Sequence, residues 1–260
     1  MQIRLTYALP ALFLTGALWS QQAYCIQDWN CDVDDFMTKA IGIEEPWLEN
    51  SGYLYAQASH SQPSSLTLSP ELEGRFSDRI GMELDLPQFS ANFPLGRNQS
   101  ALGPAAAGIK FAALHDCNPG KGEATLVTFE VEGQYSPRKL SGAGNAISTQ
   151  VMWAQLWYPW FTQGEAGYTQ QVGDGITNGW FVNTSLGRAI QGIYAVQLEV
   201  EGDNQRVMAN GQRGFEGYLM PQVAYHVSPK WLVAVGEQAA RQEGIHQTNW
   251  STWGMLEREF

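Results

Sequence analysis

The feature that most constrains the fold of this chain is an alternation of apolar and polar residues, which runs through most of the sequence after its first fifty residues. In the stretch RIGMELDL, Ile80, Met82, Leu84 and Leu86 share one face, and glycine or charged residues occupy the other. A period of two is the signature of a β-strand with two different faces. Helical periodicity is nearly absent from the same region. We therefore predict an all-β, antiparallel fold.

Counting such stretches predicts about twelve strands between residues 51 and 260. The predicted spans are 51–60, 65–76, 79–88, 103–114, 122–135, 147–158, 162–172, 179–187, 191–201, 215–227, 231–240 and 249–260. The predicted links alternate in length: short or medium at 77–78, 115–121, 159–161, 188–190 and 228–230, and longer at 89–102, 136–146, 202–214 and 241–248. Alternating short turns and long loops are typical of outer-membrane barrels, and an even strand number places both termini on the periplasmic side.

An alternating strand fits a soluble barrel with its apolar face inward, or a membrane barrel with its apolar face toward lipid. The predicted strands are about ten to thirteen residues long, which matches a tilted bilayer crossing. Aromatic residues also gather where strands meet turns, as in interfacial belts, although aromatics of an ordinary core are the alternative. The belt candidates are Trp153, Trp157, Tyr158, Trp160, Trp180, Tyr225 and Trp231, with Tyr53 and Trp253 early in other strands. We predict a transmembrane β-barrel of the bacterial outer membrane.

The first 23 residues have the three parts of a secretory signal peptide. Arg4 supplies the positive charge, residues 5–19 form the apolar core, and small residues follow up to Ala23. The core is short for a spanning helix, so we predict a cleaved signal peptide at 1–23. An N-terminal anchor, or a lipid anchor at Cys25, is the alternative.

Residues 24–50 are predicted to form a periplasmic N-terminal segment with a possible short helix near 33–41. Its composition leaves open whether it covers the barrel mouth or enters the lumen. Cys25 and Cys31 lie in this segment, and Cys117 lies in a predicted periplasmic turn. One disulfide is expected in an oxidising compartment, either Cys25–Cys31 or a link from one of them to Cys117. The cysteine spacing fits no zinc pattern, so neither a metal site nor a cofactor is predicted.

The chain carries 26 acidic and 15 basic residues, which give a formal net charge of −11. This acidity argues against a nucleic-acid-binding function, because no basic stripe is present to contact phosphates. If the polar faces point inward, the lumen is rich in carboxylates, and nearby basic residues are candidate counter-charges. The predicted lumen-lining residues are Glu71, Glu73, Arg75, Arg79, Glu83, Asp85, Lys110, Glu130, Glu132, Glu199, Glu201, Gln222 and His226. They form either an interior satisfied by salt bridges and water, or a cation-favouring or solute-orienting lining.

The last eight residues, WGMLEREF, resemble a barrel-insertion signal, in which apolar residues alternate up to a terminal aromatic. Gly254, Leu256 and Phe260 share one face of this predicted strand. Arg258 departs from the pattern, but an arginine at a strand end can reach the membrane interface. Glu257 and Glu259 are then expected to face the lumen.

Five stretches carry a family resemblance: PELEGRFSDRIGMELDLP, LGPAAAGIKFAAL, GEAGYTQQVGDG, WFVNTSLGRA and LMPQVAYHVSPKWLVAVGEQ. They resemble the meta-pathway phenol-degradation type of outer-membrane protein, and they are spread over most of the chain from 50 to 260. The resemblance implies a barrel of about twelve strands. It also implies uptake or exchange of small molecules, hydrophobic or aromatic ones among them.

We therefore predict an outer-membrane channel or transporter for passive passage of small solutes, which is not an enzyme. Its expected partners are outer-membrane lipids, the barrel-assembly machinery and the solute. A structural or plugged barrel is one alternative, and an outer-membrane lipid hydrolase is another. The hydrolase needs a serine, a histidine and an orienting group together, but the sequence offers only His60 next to Ser61, and His226 without an evident serine.

Overall fold

The computed structural model describes residues 37–60, 64–93, 100–118, 120–136, 145–172, 178–207, 213–243 and 248–260. The predicted signal peptide lies outside these residues. The described strands are β1 (Ser51–Ser59), β2 (Ser64–Arg75), β3 (Ile80–Asp85), β4 (Phe89–Phe93), β5 (Ser100–Leu102), β6 (Ala105–Asn118), β7 (Glu123–Tyr135), β8 (Asn145–Trp157), β9 (Trp160–Val172), β10 (Gly179–Ile190), β11 (Tyr194–Val207), β12 (Arg213–Ser228), β13 (Trp231–Gln242) and β14 (Asn249–Glu259). The described residues contain no helix that is long and apolar enough to cross a membrane.

All strand pairings are antiparallel, and β1 pairs with both β2 and β14, which closes the sheet into a barrel. The barrel has twelve strand positions, because two positions are occupied by interrupted strands. β3 and β4 follow each other along β2, and they pair with β6 and β5 respectively. The interruptions fall at Pro87 and Pro104, which have no N–H to donate to the ladder. The predicted twelve-strand antiparallel barrel is therefore confirmed.

The predicted strand spans agree with the structure except around the interrupted strands and at some strand ends. The loop predicted at 89–102 is wrong at both ends, because 89–93 and 100–102 are strands; residues 94–99 lie outside the described part of the chain. β6 and β11 also run several residues further than predicted. At strand ends beyond the apolar band both faces meet water, so the alternation that marks a strand fades there.

The exterior of the barrel is apolar and the interior is polar. Ile109 and Val235 point outward and are 64% and 59% exposed, whereas Glu130 and Glu199 point inward and are 2% and 0% exposed. A soluble barrel would have the opposite arrangement, with carboxylates outside and aliphatic side chains inside. The two faces are therefore those of a membrane barrel.

Outward aromatic side chains lie near both ends of the barrel. At the short-turn end are Trp157, Trp160, Tyr225 and Trp231, all exposed, whereas Tyr158, predicted for the same belt, is half-buried and packs against the buried apolar cluster. Trp180 lies at the opposite end, with its ring 6.2 Å from that of Phe215. Trp153 lies nearer the middle of β8 than Trp157 does, opposite Gly164, where an added Cβ would overlap the indole ring.

Tyr53 and Trp253 do not belong to these belts. Tyr53 is buried in the lumen, and the indole N–H of Trp253 donates to the buried amide of Gln238 at 3.1 Å. A position near a strand end predicts how deep a residue lies in the membrane, but the parity of the strand decides whether it points to lipid or to the lumen.

The last strand has the predicted orientation. Leu256 and Phe260 are exposed outside the barrel, while Glu257 is buried inside. The guanidinium of Arg258 lies 5.3 Å from the ring of Trp231 and 5.5 Å from that of Phe260, which gives this outward charge an aromatic environment. Gly254 has the same parity as Leu256 in the pairing of β14 with β1.

Candidate functional site in the barrel lumen

Residues 37–49, which precede the first strand, lie inside the barrel, and we call them the lumenal segment; Asn50, which follows them, is exposed. Met37, Ala40, Ile43 and Glu45 in this segment are fully buried. The question of whether the N-terminal segment covers the mouth or enters the lumen is thus answered for these residues. The possible helix is not seen in the described part of 33–41: residues 37–40 have no regular secondary structure and a turn begins at Ile41, while residues 33–36 lie outside the described ranges.

The barrel wall accepts hydrogen bonds from the backbone of the lumenal segment on one side of the lumen. The three donors and their acceptors are Ile41 to Gln222 (3.0 Å), Gly42 to Glu199 (3.2 Å) and Glu44 to Glu165 (3.1 Å). The acceptors come from β12, β11 and β9. Two predicted lumen residues, Glu199 and Gln222, therefore bind the lumenal segment directly.

The carbonyl groups of the lumenal segment accept hydrogen bonds in the same way. Gln163 and Gln197 both donate to the carbonyl of Thr38, at 2.7 and 3.0 Å. The Thr128 hydroxyl of β7 donates to the carbonyl of Pro46. Because a backbone without regular structure must satisfy its polar groups elsewhere, these amide and hydroxyl side chains act as the partners that a sheet would otherwise provide.

Gly42 marks the closest approach of the lumenal segment to the wall. A Cβ at this position would overlap the carboxylate of Glu199 and the hydroxyl of Tyr218, which donates a hydrogen bond to the same carboxylate. Only a residue without a side chain fits this contact, so the sequence at position 42 is matched to the wall of β11 and β12.

The ammonium group of Lys39 fixes the lumenal segment to the first two strands. Its Nζ lies 2.9 Å from Glu71 of β2 and 2.5 Å from Glu45 of the segment itself. It also stands over the ring of Tyr53, 4.1 Å from the centroid, and 5.6 Å from the centroid of Tyr55. A buried ammonium is stable when carboxylates and aromatic faces replace its water.

A second buried lysine, Lys110 of β6, joins the same network from the wall. Its Nζ lies 2.6 Å from Glu73 and 2.9 Å from Glu83, the predicted neighbours on β2 and β3. It is also 3.6 Å from Glu45 and 3.5 Å from Glu44 of the lumenal segment. Burial alone would raise the pKa of Glu45, but the ammonium groups of Lys110 and Lys39 outweigh it and hold that pKa well below its ordinary value. Glu45 is therefore ionised at neutral pH and joins the segment to the wall.

Two predicted counter-charges do not join this network. Arg75 pairs with Asp78 at 2.5 Å and its side chain is 46% exposed. Arg79 donates to the carbonyls of Ala112 and Ala113. Both arginines flank the turn between β2 and β3, so their guanidinium groups stay at the rim. Lys39 supplies the buried counter-charge that was expected of these arginines. The strand pattern could not reveal this role because Lys39 is not on a strand.

On the long-loop side of the lumenal segment the lumen forms a cavity of about 530 Å³, which we call the vestibule. Six of its described lining residues carry carboxylates and none carries a positive charge. These six are Glu44, Glu132, Glu165, Glu201, Asp203 and Glu216. A concave surface with one sign of charge raises the local concentration of ions of the other sign. The vestibule is therefore an environment that attracts cations.

The remaining predicted lumen residues lie at either side of the ion network. Asp85 ends β3 opposite Glu71 in the strand register. His226 lines a small pocket at the short-turn end together with Lys230 and Glu257. Among the described residues neither side chain forms a hydrogen bond or ion pair with the lumenal segment, although Thr38 and Trp47 of that segment line the same pocket as His226.

The histidine of the proposed hydrolase site contacts two polar partners but not as a catalytic base would. His60 Nε2 lies 2.8 Å from the hydroxyl of Thr252 and 3.7 Å from Glu237, and the same hydroxyl donates to Glu237 at 2.7 Å. A hydrolytic triad uses opposite ring nitrogens for the nucleophile and the orienting group. Here one nitrogen faces both partners. Ser61, its sequence neighbour, lies outside the described residues.

Cys117 lies near the end of β6 and is disulfide-bonded. The other two cysteines, Cys25 and Cys31, lie outside the described residues, and the chain has three in all. We expect non-reducing digestion and mass spectrometry to show the Cys117 peptide joined to a peptide that precedes the lumenal segment. Modification of Cys117 by a maleimide without reductant would contradict this link, and the Cys117→Ser variant is the control for the joined peptide.

Comparison with known proteins identifies the fold. None of the known protein-family models matches the chain, and no curated protein matches it in sequence. Among solved structures it is similar to the NanC porin (TM-score 0.58, 9% identity, covering 80% of this chain and 100% of that one). It is also similar to the COG4313 outer membrane channel from Pseudomonas putida F1 (TM-score 0.54, 11% identity, 86% and 100%) and to the KdgM porin (TM-score 0.50, 8% identity, 80% and 99%).

These identities are low, so the likeness concerns the fold. The fold is that of outer-membrane porins and channels. Together with the apolar outer face it is consistent with a location in a bacterial outer membrane, as predicted.

Proposed function

We propose that the protein is an outer-membrane channel for passive passage of small solutes and that it favours cations. The observation that carries this proposal is the vestibule, which is lined by six carboxylates and ends at the lumenal segment. Solutes that enter from the long-loop side meet these charges first. The similar structures are two porins and an outer membrane channel, which supports a transport role over an enzymatic one.

The charge of the wall also bears on the solute. The family resemblance implies hydrophobic or aromatic compounds, whereas an acidic vestibule favours solutes that carry a positive charge. We propose cationic small molecules as the better fit to this lining. The outward apolar side chains and the outward face of the last strand support outer-membrane lipids and the barrel-assembly machinery as partners.

Neutralising the vestibule is expected to reduce cation preference. In planar bilayers under a salt gradient, the double variant Glu201→Gln, Asp203→Asn should lower the cation-to-anion permeability ratio by about twofold or more, because charges that line a narrow path act on every passing ion. The control is Asp78→Asn, which removes a charge from a side chain that is 93% exposed at the rim. An unchanged ratio in the vestibule variant would show that these carboxylates have only a structural role.

A barrel with a closed lumen is the second candidate, and the lumenal segment favours it. Hydrogen bonds and ion pairs connect this segment to wall residues on several sides of the lumen, from Glu71 on β2 to Gln222 on β12. A wild-type protein that conducts no ions and takes up no solute in liposomes would support this candidate over the channel.

A further inference from the structure

We propose that the lumen wall binds a calcium ion between Glu83, Glu130 and Glu132, beside the inner end of the vestibule. The cysteine and histidine pattern of the sequence gave no reason to expect a metal. Carboxylates on neighbouring strands are a different kind of site, and their proximity depends on the strand register. The inference concerns binding, and it does not depend on whether the barrel conducts.

The strand register brings the three carboxylates together. Gly108 of β6 is paired with Glu83 of β3 on one side and with Glu132 of β7 on the other. Glu130 is two residues from Glu132 on the same face of β7. One carboxylate oxygen from each of Glu83, Glu130 and Glu132 lies within 4.8 Å of the other two. Because Gly108 has no side chain, the space above it is left to these oxygens.

Glu130 provides the observation that points to a ligand. Its side chain is 2% exposed, and the amide of Gln150 donates to its Oε2 at 2.7 Å. Its Oε1 is buried and has no hydrogen-bond partner among the residues that the structure describes. This oxygen lies directly over Gly108, since a Cβ added there would overlap it, and so it points into the space between Glu83 and Glu132. A buried carboxylate oxygen without a partner is costly, and a cation in this space would satisfy it.

The charge balance at this place matches a divalent ion. The nearest described cation is the ammonium of Lys110, 2.9 Å from Glu83 Oε2, but the same ammonium lies closer to Glu73, at 2.6 Å. Even if Lys110 neutralises Glu83 in full, Glu130 and Glu132 form no ion pair with a described basic side chain, and their ionised forms would carry two negative charges. A single divalent cation would balance them.

The chemistry of the ligands favours calcium. All three side chains offer oxygen, which hard cations prefer. Two ligands of one Ca²⁺ ion can stand about 5 Å apart, so oxygens within 4.8 Å of one another can share it, whereas Mg²⁺ demands a smaller and more regular octahedron. Glu132 and Gln150 also line the vestibule, so water can reach the site and complete the six to eight ligands that Ca²⁺ takes.

The test is equilibrium binding of Ca²⁺ to the full-length protein in detergent, by dialysis against labelled Ca²⁺ or by calorimetry. We expect a single Ca²⁺ per chain, with affinity weakened by about tenfold or more in Glu130→Gln and in Glu132→Gln, because each change removes one charged ligand. Glu216→Gln is the matched control. It removes the same charge from the same vestibule, but Glu216 is on β12, across the barrel from β7, and its affinity should stay within about twofold of wild type.

Three results would overturn the inference: no stoichiometric binding by the wild-type protein, full binding by both cluster variants, or an equal loss in Glu216→Gln, which would mean diffuse attraction by the vestibule. Glu132 is only half-buried, so its variant remains informative if Glu130→Gln fails to fold. Binding by a protein that shows no conductance would support this site while contradicting the channel, so the two proposals can fail separately.

Discussion

Removal of the lumenal segment is expected to open the barrel. A chain that lacks residues 37–48 should show a single-channel conductance higher than wild type by about threefold or more, because the bore of a twelve-strand barrel is narrow and this segment crosses it. The expected change in selectivity has a sign as well: the deletion removes Lys39 together with Glu44 and Glu45, a net loss of one negative charge, so cation preference should fall. Planar-bilayer recordings measure both quantities.

A single substitution can test the same idea in a chain of full length. Leucine at position 42 would overlap Glu199 and Tyr218, so Gly42→Leu should displace the lumenal segment and raise the conductance part of the way. Gly120→Leu is the matched control, because a Cβ at this turn position approaches only the Asn118 side chain, at 3.7 Å. A heat-modifiable gel shift shows whether each variant is folded. Equal conductance in wild type and deletion would mean that ions pass the segment without hindrance.

Replacement of Lys110 by methionine is expected to produce the largest loss of stability. The ammonium lies among Glu73, Glu83 and Glu45, and its removal leaves these buried carboxylates without compensation. Breaking a buried ion pair on one side typically costs about 3–5 kcal/mol. The midpoint of unfolding by urea in lipid vesicles, read by the gel shift, measures the effect.

Two further variants isolate the cause of that loss. Lys121→Met removes the same charge from an exposed turn and should change the unfolding free energy by no more than about 0.5 kcal/mol. Adding Glu73→Gln to Lys110→Met should recover part of the stability, because one uncompensated charge is removed along with the ammonium. If Lys110→Met unfolds at the same urea concentration as wild type, the carboxylates do not need this lysine.

The strands and their faces could be predicted from the sequence because a period of two is a local property. The inward position of Glu130 and the outward position of Ile109 follow from it directly. The interruptions at Pro87 and Pro104 could have been anticipated from the missing N–H groups. The strands β4 and β5, which lie between these two prolines, are too short to show a period of two. Alternation thus predicts the barrel well and its irregular parts poorly.

The interior of the lumen was much less predictable. The lumenal segment has no periodicity, so nothing local indicates that Thr38 meets Gln163 and Gln197 across more than a hundred residues of chain. The counter-charges show the same limit. The parity of the strand made Arg75 a candidate counter-charge in the lumen, although Arg75 lies at the rim. The same parity could not suggest Lys39, because Lys39 is not on a strand. Contacts that depend on three-dimensional closure leave no local trace in the sequence.

The ring contacts of Lys39 have a mechanical consequence. Tyr53 and Tyr55, over which its ammonium stands, belong to β1, and β1 also forms the seam with β14. The strand that binds Lys39 of the lumenal segment is therefore one of the two strands between which the barrel could open laterally. Since coupling between two events acts equally in both directions, a lateral opening at this seam would loosen the segment. Equally, a solute that displaces the lumenal segment from the barrel wall would weaken the pairing of β1 with β14.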